Sequence, residues 1–258
     1  MAIGYVITLF LVGFAGSFLS GLLGIGGAIV NYPLLLYVPV MLGFHGLTPH
    51  QVSGVVAVQV FFATFAGMLA SRKQNLIHKD LVAYMGTAII IGSFLGAYGG
   101  KFLSGNSINM VYGILAVIAV ILMFIPRRGT EGVDPKEVKF NPLIATTASF
   151  IVGVASGIVG AGGAFMLVPI MLTILKIPIR ITIATSLAVT FISSIGAMSG
   201  KLIAGHIPLW ASVIVVIASL ISAPIGTMVS KLVHTKALRS ILLVMIIGTT
   251  IKIWSGIF

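Results

Sequence analysis

The sequence predicts an all-α polytopic membrane protein with about ten membrane segments, built as two inverted five-segment repeats with glycine-broken helices. Three observations predict this fold. Hydrophobic residues make up 59% of the chain and charged residues 7%, ten apolar stretches follow one another, and one glycine-rich block occurs twice. A chain with so few charged residues has too little polar surface to be a water-soluble protein.

The glycine-rich block reads SGLLGIGGA at 20–28 and SGIVGAGGA at 156–164, and a proline follows each copy, Pro33 and Pro169. The offset between the copies is constant (162 − 26 = 136 and 169 − 33 = 136). Each block interrupts an apolar run. Non-helical backbone at membrane depth is tolerated only where it is buried in protein or lines a polar cavity. Paired interruptions of this kind in two halves indicate the binding site of a transporter.

The apolar stretches are long enough to enter or cross a bilayer, at about 20 residues per full span. They run approximately over 3–22, 28–42, 51–71, 81–103, 107–126, 142–160, 164–176, 181–200, 208–230 and 237–256. We therefore divide the chain into a first transmembrane repeat (1–126), a cytoplasmic linker (127–141) and a second repeat (142–258). Segments 3–22 and 28–42 either cross fully or form a re-entrant hairpin, because both arrangements end on the same side.

An odd number of segments per repeat makes the second repeat enter from the opposite face. With the linker inside, twelve basic residues are cytoplasmic and three are outside, which satisfies the positive-inside rule. The twelve are Arg72, Lys73, Lys79, Arg127, Arg128, Lys136, Lys139, Lys176, Arg180, Lys231, Lys236 and Arg239, and the three are Lys101, Lys201 and Lys252. This predicts a cytoplasmic-membrane protein with both termini outside.

Small residues recur every four positions in the fourth segment of each half. The first half has Gly92, Gly96 and Gly100, and the second has Ser222, Gly226 and Ser230. Such a row makes a flat helix face that another helix backbone can approach closely. We interpret both rows as packing surfaces.

The predicted spans contain no carboxylate, because the four acidic residues lie at segment ends or in the linker: Asp80, Glu131, Asp134 and Glu137. Proton relays and cation sites in membranes usually depend on such a group, so an anionic substrate is favoured. The five histidines are scattered over predicted loops, where we expect solvated or interfacial positions: His45, His50, His78, His206 and His234. There is no cysteine. We therefore assign no catalytic residue, metal site or cofactor.

Anions need hydrogen-bond donors, which the glycine blocks can supply. A helix that starts after each block has unpaired backbone N–H groups at the positive end of its dipole, and this is a ready anion site. Nearby hydroxyl and amide side chains add uncharged donors. The candidate substrate-binding residues are Gly24, Gly26, Gly27, Asn31, Ser53, Gln59, Gly160, Gly162, Gly163, Thr185, Ser186 and Thr190. The alternative, that both turns are only tight helix crossings, stays open.

The two glycine motifs, with Ala184-Thr185-Ser186-Leu187 after the second, resemble the TauE/SafE sulfite exporter family, also called the toluene sulfonate uptake permeases. The resemblance covers essentially the whole chain. The first half has Val52-Ser53-Gly54-Val55 where the second has Ala-Thr-Ser-Leu. The resemblance implies transport of sulfur-containing anions, such as sulfite or sulfonates, across the cytoplasmic membrane.

We interpret the chain as an exporter of small oxyanions, held at the midplane by the helix N-termini of the two glycine turns. Its expected partners are the anionic substrate and the lipid bilayer, with a homo-oligomer left open. Nucleic acid is not expected, because the net charge of +11 is spread over short loops. The alternatives are a membrane-embedded scaffold subunit and an intramembrane enzyme, although the spans lack a nucleophile with a base.

Overall fold

The protein is all-α in the part of the chain that the structure, a computed structural model, describes: residues 3–24, 26–71, 76–124, 135, 138 and 140–257. Within these ranges there are ten α-helices and a short 3₁₀ turn at Gly100–Phe102. The helices are α1 (Ile3–Leu23), α2 (Ala28–Met41), α3 (Pro49–Ser71), α4 (Lys79–Gly99), α5 (Gly105–Phe124), α6 (Pro142–Val159), α7 (Ala164–Thr173), α8 (Ile179–Ile203), α9 (Leu209–Leu232) and α10 (Thr235–Ile257). Most of the predicted linker lies outside the described residues.

Seven of these helices are long and apolar enough to cross a membrane: α1, α3, α4, α5, α6, α8 and α9. The two helices that follow the glycine blocks are shorter. The 14 residues of α2 extend about 21 Å and the 10 residues of α7 about 15 Å, at 1.5 Å per residue. A hydrocarbon core is about 30 Å thick. Neither short helix can cross it alone.

The glycine blocks break the helices because three glycines in each adopt a left-handed backbone. Gly24, Gly26 and Gly27 have φ angles of +71°, +72° and +73°. The second block has +78°, +61° and +80° at Gly160, Gly162 and Gly163. A side chain at such an angle is strained, and glycine adopts it freely. The helix before each block therefore ends there, and a new helix starts directly after Gly27 and Gly163.

The small-residue rows are packing surfaces, as predicted. A β-carbon on Gly92 or Gly96 of α4 would press on the backbone of α6, and one on Gly226 of α9 would press on α1 at Phe18. Small residues allow two helix backbones to touch in this way. Contacts advance in the same direction along both members of each pair, so α4 runs parallel to α6 and α1 runs parallel to α9.

Helices α3 and α8 lie at the centre and cross antiparallel, since Gly67 contacts Leu187 while Phe61 packs against Phe191. They are the most enclosed of the candidate spans, with 67% and 78% of their best windows buried. Large apolar side chains such as Leu95 and Ile217 point outward and are about half exposed. This distribution suits a protein whose outer surface faces lipid.

Candidate functional site

Each glycine turn is covered by the beginning of a helix from the other half of the chain. Gly24 packs on Ile183 and Ser186 near the start of α8, and Gly160 packs on Ser53 near the start of α3. The structure thus sorts the predicted site residues into two groups, each containing residues of both halves. The first group surrounds the turn at 24–27, and the second surrounds the turn at 160–163.

The first turn lies against a buried group of polar side chains. A methyl group on Gly27 would lie 2.6 Å from the carbonyl oxygen of Gly16 and 2.9 Å from Nε2 of Gln59. Asn31, one helical turn further along α2, packs on Gly16 as well. Both amide side chains are fully buried. The sequence-predicted residues Gly27, Asn31 and Gln59 are therefore brought together.

Two serines that the sequence did not single out complete this group. Nε2 of Gln59 donates to Oγ of Ser17 at 2.8 Å, and Ser17 shares a 2.7 Å hydroxyl–hydroxyl bond with Ser219 of α9. We call Ser17, Gly27, Asn31, Gln59 and Ser219 the amide cluster. Ser17 and Ser219 were missed because single serines in apolar helices look like packing residues.

The amide cluster has hydrogen-bonding capacity to spare. Both polar atoms of the Asn31 side chain and Oε1 of Gln59 are buried without a hydrogen-bond partner among the described residues. The cluster also sits at mid-depth in the helix bundle. Gln59 lies 10 residues after the first residue of α3 and 12 before its last (49, 59 and 71).

The second turn has more apolar surroundings, with no amide side chain among the described atoms nearest to Gly162 and Gly163. A β-carbon on Gly163 would meet side-chain atoms of Ile89, Ser156 and Val152 at 3.0–3.1 Å. Leu167 occupies the position that corresponds to Asn31 at the 136-residue offset. Gly162 lies between Val60 and Thr190, and Oγ1 of Thr190 is buried without a partner in the described part of the chain. The two turns have the same backbone conformation but are surrounded by different side chains.

The remaining predicted hydroxyls already make hydrogen bonds inside the protein. Ser53 donates to the carbonyl of His50 at 2.8 Å, and Ser186 donates to the carbonyl of Gly24 at 2.7 Å. Thr185 accepts a 3.0 Å bond from the backbone N–H of His78. The hydroxyl protons of Ser53 and Ser186 are thus already donated to backbone carbonyls. Asn31, Gln59 and Thr190 are the predicted side chains that are more available to hydrogen-bond a ligand.

A basic cavity of about 20 Å³ opens beside the first turn. Its lining residues are Leu76, Arg180, Ile183, Ala184, Thr227, Ser230 and Lys231. Ile183 also contacts Gly24, and Thr227 contacts Gly21. The cavity has room for about one water molecule. Positive charge from two side chains therefore stands at the edge of the first glycine turn.

His78, for which the sequence predicts a solvated or interfacial position, is buried at the start of α4. The residue is 6% exposed, and its ring caps α4, because Nδ1 accepts the backbone N–H of Leu81 at 3.2 Å. Its Nε2 lies 3.1 Å from the carbonyl of Val138. Burial of this imidazole fixes the start of α4 against the end of the linker. Within the described residues, no three metal-ligating side chains come together.

The chain matches the model of the family described as "Sulfite exporter TauE/SafE" over residues 9–253. The chain belongs to the TauE/SafE family. It is 23% identical to "Probable membrane transporter protein YunE" of Bacillus subtilis (strain 168), with 98% of each chain covered. It is also 31% identical to a "Probable membrane transporter protein" of Xylella fastidiosa (strain 9a5c), over 69% of this chain and 65% of that one.

A third similar protein comes from Methanocaldococcus jannaschii (strain ATCC 43067 / DSM 2661 / JAL-1 / JCM 10045 / NBRC 100440). This protein, "Probable membrane transporter protein MJ0441", is 24% identical over 91% of this chain and 90% of its own length. No solved structure matches. The TauE/SafE model and the transporter names, together with seven candidate spans, make this chain a multi-pass membrane transporter of that family.

Proposed function

We propose that this transporter exports small sulfur-containing oxyanions, such as sulfite or organosulfonates, and binds them at the glycine turns near the middle of the membrane. The observation that carries the proposal is the amide cluster. It places buried, unpartnered amide atoms of Asn31 and Gln59 against the first turn of α2. The sulfur-containing class comes from the name of the family, and the site chemistry supports an anion.

Unpartnered amide atoms in a protein interior are costly. A buried polar group without a hydrogen bond costs about 1–3 kcal/mol, and the Asn31 side chain has two such atoms. An oxyanion would accept from Nδ2 of Asn31, whereas the two amide oxygens, Oδ1 of Asn31 and Oε1 of Gln59, need a hydroxyl donor such as that of a singly protonated oxyanion. The cluster therefore has the properties of a binding site that is complete only when it is occupied.

The surroundings of the cluster favour negative charge. Helix α2 begins at Gly27 without a side-chain cap, and the first backbone N–H groups of a helix attract anions. Asp80, at the start of α4, is the one acidic residue among those that the structure describes. Two basic residues, Arg180 and Lys231, line the cavity beside the first turn. An anion approaching the first turn from that side would meet positive charge first and neutral donors next.

The packing of the helices supports an inverted repeat. If α1–α5 correspond to α6–α10, the pair α1 and α9 corresponds to α6 and α4, and both pairs pack in parallel. The central pair of α3 and α8 corresponds to itself and is antiparallel. This is the relation expected when the second repeat is inverted, and such repeats suit alternating access around a midplane site.

The test is efflux from proteoliposomes that contain the purified protein. Labelled sulfite, sulfate, an alkylsulfonate and acetate are compared at equal concentration. Faster efflux of sulfite or the sulfonate than of acetate is expected. Acetate efflux equal to theirs, or no flux above that of empty liposomes for any anion, contradicts the proposed substrate class.

The site is tested with Gln59→Met, which keeps the side-chain length and removes the amide. The matched control is Gln51→Met, the same change near the start of the same helix, where Gln51 accepts the backbone N–H of Thr48 at 3.0 Å. We expect sulfite efflux to fall at least about tenfold in Gln59→Met, the size of one charged hydrogen bond. Equal efflux in both variants would exclude the amide cluster as the site.

A further inference from the structure

We propose that Lys201, His50 and His206 form a second anion site, which takes one small oxyanion at the end of the bundle opposite the Arg180–Lys231 cavity. Lys201 lies near the end of α8, whereas Arg180 lies at its beginning. His50 is in the first turn of α3, and His206 is in the loop between α8 and α9. The inference rests on burial and charge at this end, and not on the identity of the transported substrate.

Lys201 is a fully buried lysine. The structure describes one hydrogen bond of its Nζ, a 2.7 Å bond donated to the carbonyl of Ile158 near the end of α6. That carbonyl belongs to the negative end of the α6 dipole, which offsets about half a charge. An ammonium group has three protons to donate. A buried lysine inside a membrane span therefore calls for an additional negative partner.

The described acidic side chain cannot be that partner. Asp80 lies at the start of α4, and the 3₁₀ turn near Lys201 follows the end of that helix at Gly100. Twenty residues of helix separate Asp80 from Gly100, a distance of about 30 Å at 1.5 Å per residue. Asp80 is therefore too far from Lys201 to form an ion pair with it.

The two histidines add further donors beside Lys201. Their ring centroids are 4.5 Å apart, and both Nδ1 atoms are buried without a hydrogen-bond partner among the described residues. The backbone N–H of His206 donates to the carbonyl of Lys201 at 3.4 Å. Helix α9 starts shortly after His206 and α3 starts at Pro49, so two helix N-termini face this region with their positive ends.

Among the described residues, the charged and titratable groups that face His206 are basic. His206 is faced by His50 from α3 and by Lys201 from α8, and burial and then these two neighbours lower its pKa below the ordinary histidine value. From the turn at Gly100–Phe102, Lys101 points onto the ring of Tyr98, with Nζ 3.8 Å from the ring centroid. An oxyanion can accept from Nζ and both imidazoles, which no neutral ligand would satisfy as well.

The experiment follows the five histidines by NMR while the purified protein is titrated with sodium sulfate, against sodium chloride at equal ionic strength. A bound anion favours protonated imidazole, so we expect sulfate to raise the pKa of His206 and to shift the ring resonances of both His50 and His206. His45, His78 and His234 are internal references and should not respond. No response of His50 and His206, an equal response of all five, or the same response to chloride would overturn the proposal.

Lys201→Met should raise the half-saturating sulfate concentration at least about tenfold, as expected for one lost charged hydrogen bond. Lys101→Met removes the same charge at the same end and should leave it unchanged. If Lys201→Met does not fold, calorimetric sulfate titration of His206→Gln replaces it, with the same expected weakening. Equal weakening in Lys101→Met would contradict the site. Because these readouts measure binding, a failure of sulfite transport leaves their result intact, and the reverse also holds.

Discussion

Asn31 of α2 packs directly on Gly16 of α1, and a β-carbon at residue 16 would overlap its carboxamide. The absence of a side chain at Gly16 therefore leaves the space that the Asn31 carboxamide occupies. The contact links the glycine turn to the middle of α1, where Ser17 bonds to Gln59 and Ser219. The position of the Asn31 amide depends on a residue that has no side chain.

Gly16→Ala should therefore displace Asn31 and impair transport. Overpacking a buried site costs about 1–3 kcal/mol, which we expect as a lower thermal unfolding temperature in detergent together with slower efflux. Gly99→Ala is the control, since a β-carbon there meets nothing within 4 Å. A Gly16→Ala protein as active as the Gly99→Ala protein would show that the contact is unimportant.

Asn31→Leu should separate stability from function. Replacing unpartnered polar atoms with an apolar group of similar size is close to neutral or stabilising, so the variant should unfold at the wild-type temperature or higher. Its anion efflux should fall at least about tenfold. The second half already has Leu167 at this position, which shows that the turn can form with leucine. Efflux at the wild-type rate would remove Asn31 from the site.

Gly27→Ala should be more damaging than Gly163→Ala, although both glycines are left-handed. The new methyl group at residue 27 meets a backbone carbonyl, that of Gly16, at 2.6 Å, whereas at residue 163 it meets side-chain atoms at 3.0–3.1 Å. Side chains can move aside and a helix backbone cannot. Thermal unfolding and efflux of the two variants, measured side by side, check this order, and the reverse order would contradict it.

The glycine turns could be predicted because only glycine adopts their backbone freely, so the sequence carries the geometry directly. The amide cluster could be predicted only in part. Asn31 and Gln59 are costly to bury and attract notice, whereas Ser17 and Ser219 resemble ordinary packing residues until the helices are assembled.

The burial of Lys201 could not be predicted from the sequence. In the positive-inside count it was one more basic residue at a segment end, and a sum over charges contains no information on burial. The structure turns its side chain inward, where it donates to Ile158. Which basic residue is exposed depends on the contact between α8 and α6, and this contact joins segments that are distant in the sequence.

The orientation in the membrane stays a prediction from charge, and it can be tested with single cysteines because the chain has none. We expect His45→Cys, in the exposed loop before α3, to react with an impermeant thiol reagent added to intact cells. Asp134→Cys, in the predicted cytoplasmic linker, should react only after the cells are permeabilised. Labelling of position 134 in intact cells, with position 45 protected, would invert the topology.

The last prediction concerns the driving force. No acidic residue lies in the predicted spans, and the amide cluster consists of neutral side chains, so the simplest cycle moves the anion alone and carries charge. Each negative charge that leaves an inside-negative cell gains roughly 2.3 kcal/mol per 100 mV, which supports a concentration ratio of roughly fortyfold to fiftyfold. Efflux from proteoliposomes, with the potential set by potassium and valinomycin at fixed pH and sodium, should increase as the interior is made more negative. Lys201, His50 and His206 are the alternative route for coupling, since these proton-carrying side chains lie at one end of the bundle. Efflux that ignores the potential and follows a pH gradient, in the wild type but not in His206→Gln, would replace the uniport cycle by a proton-linked one.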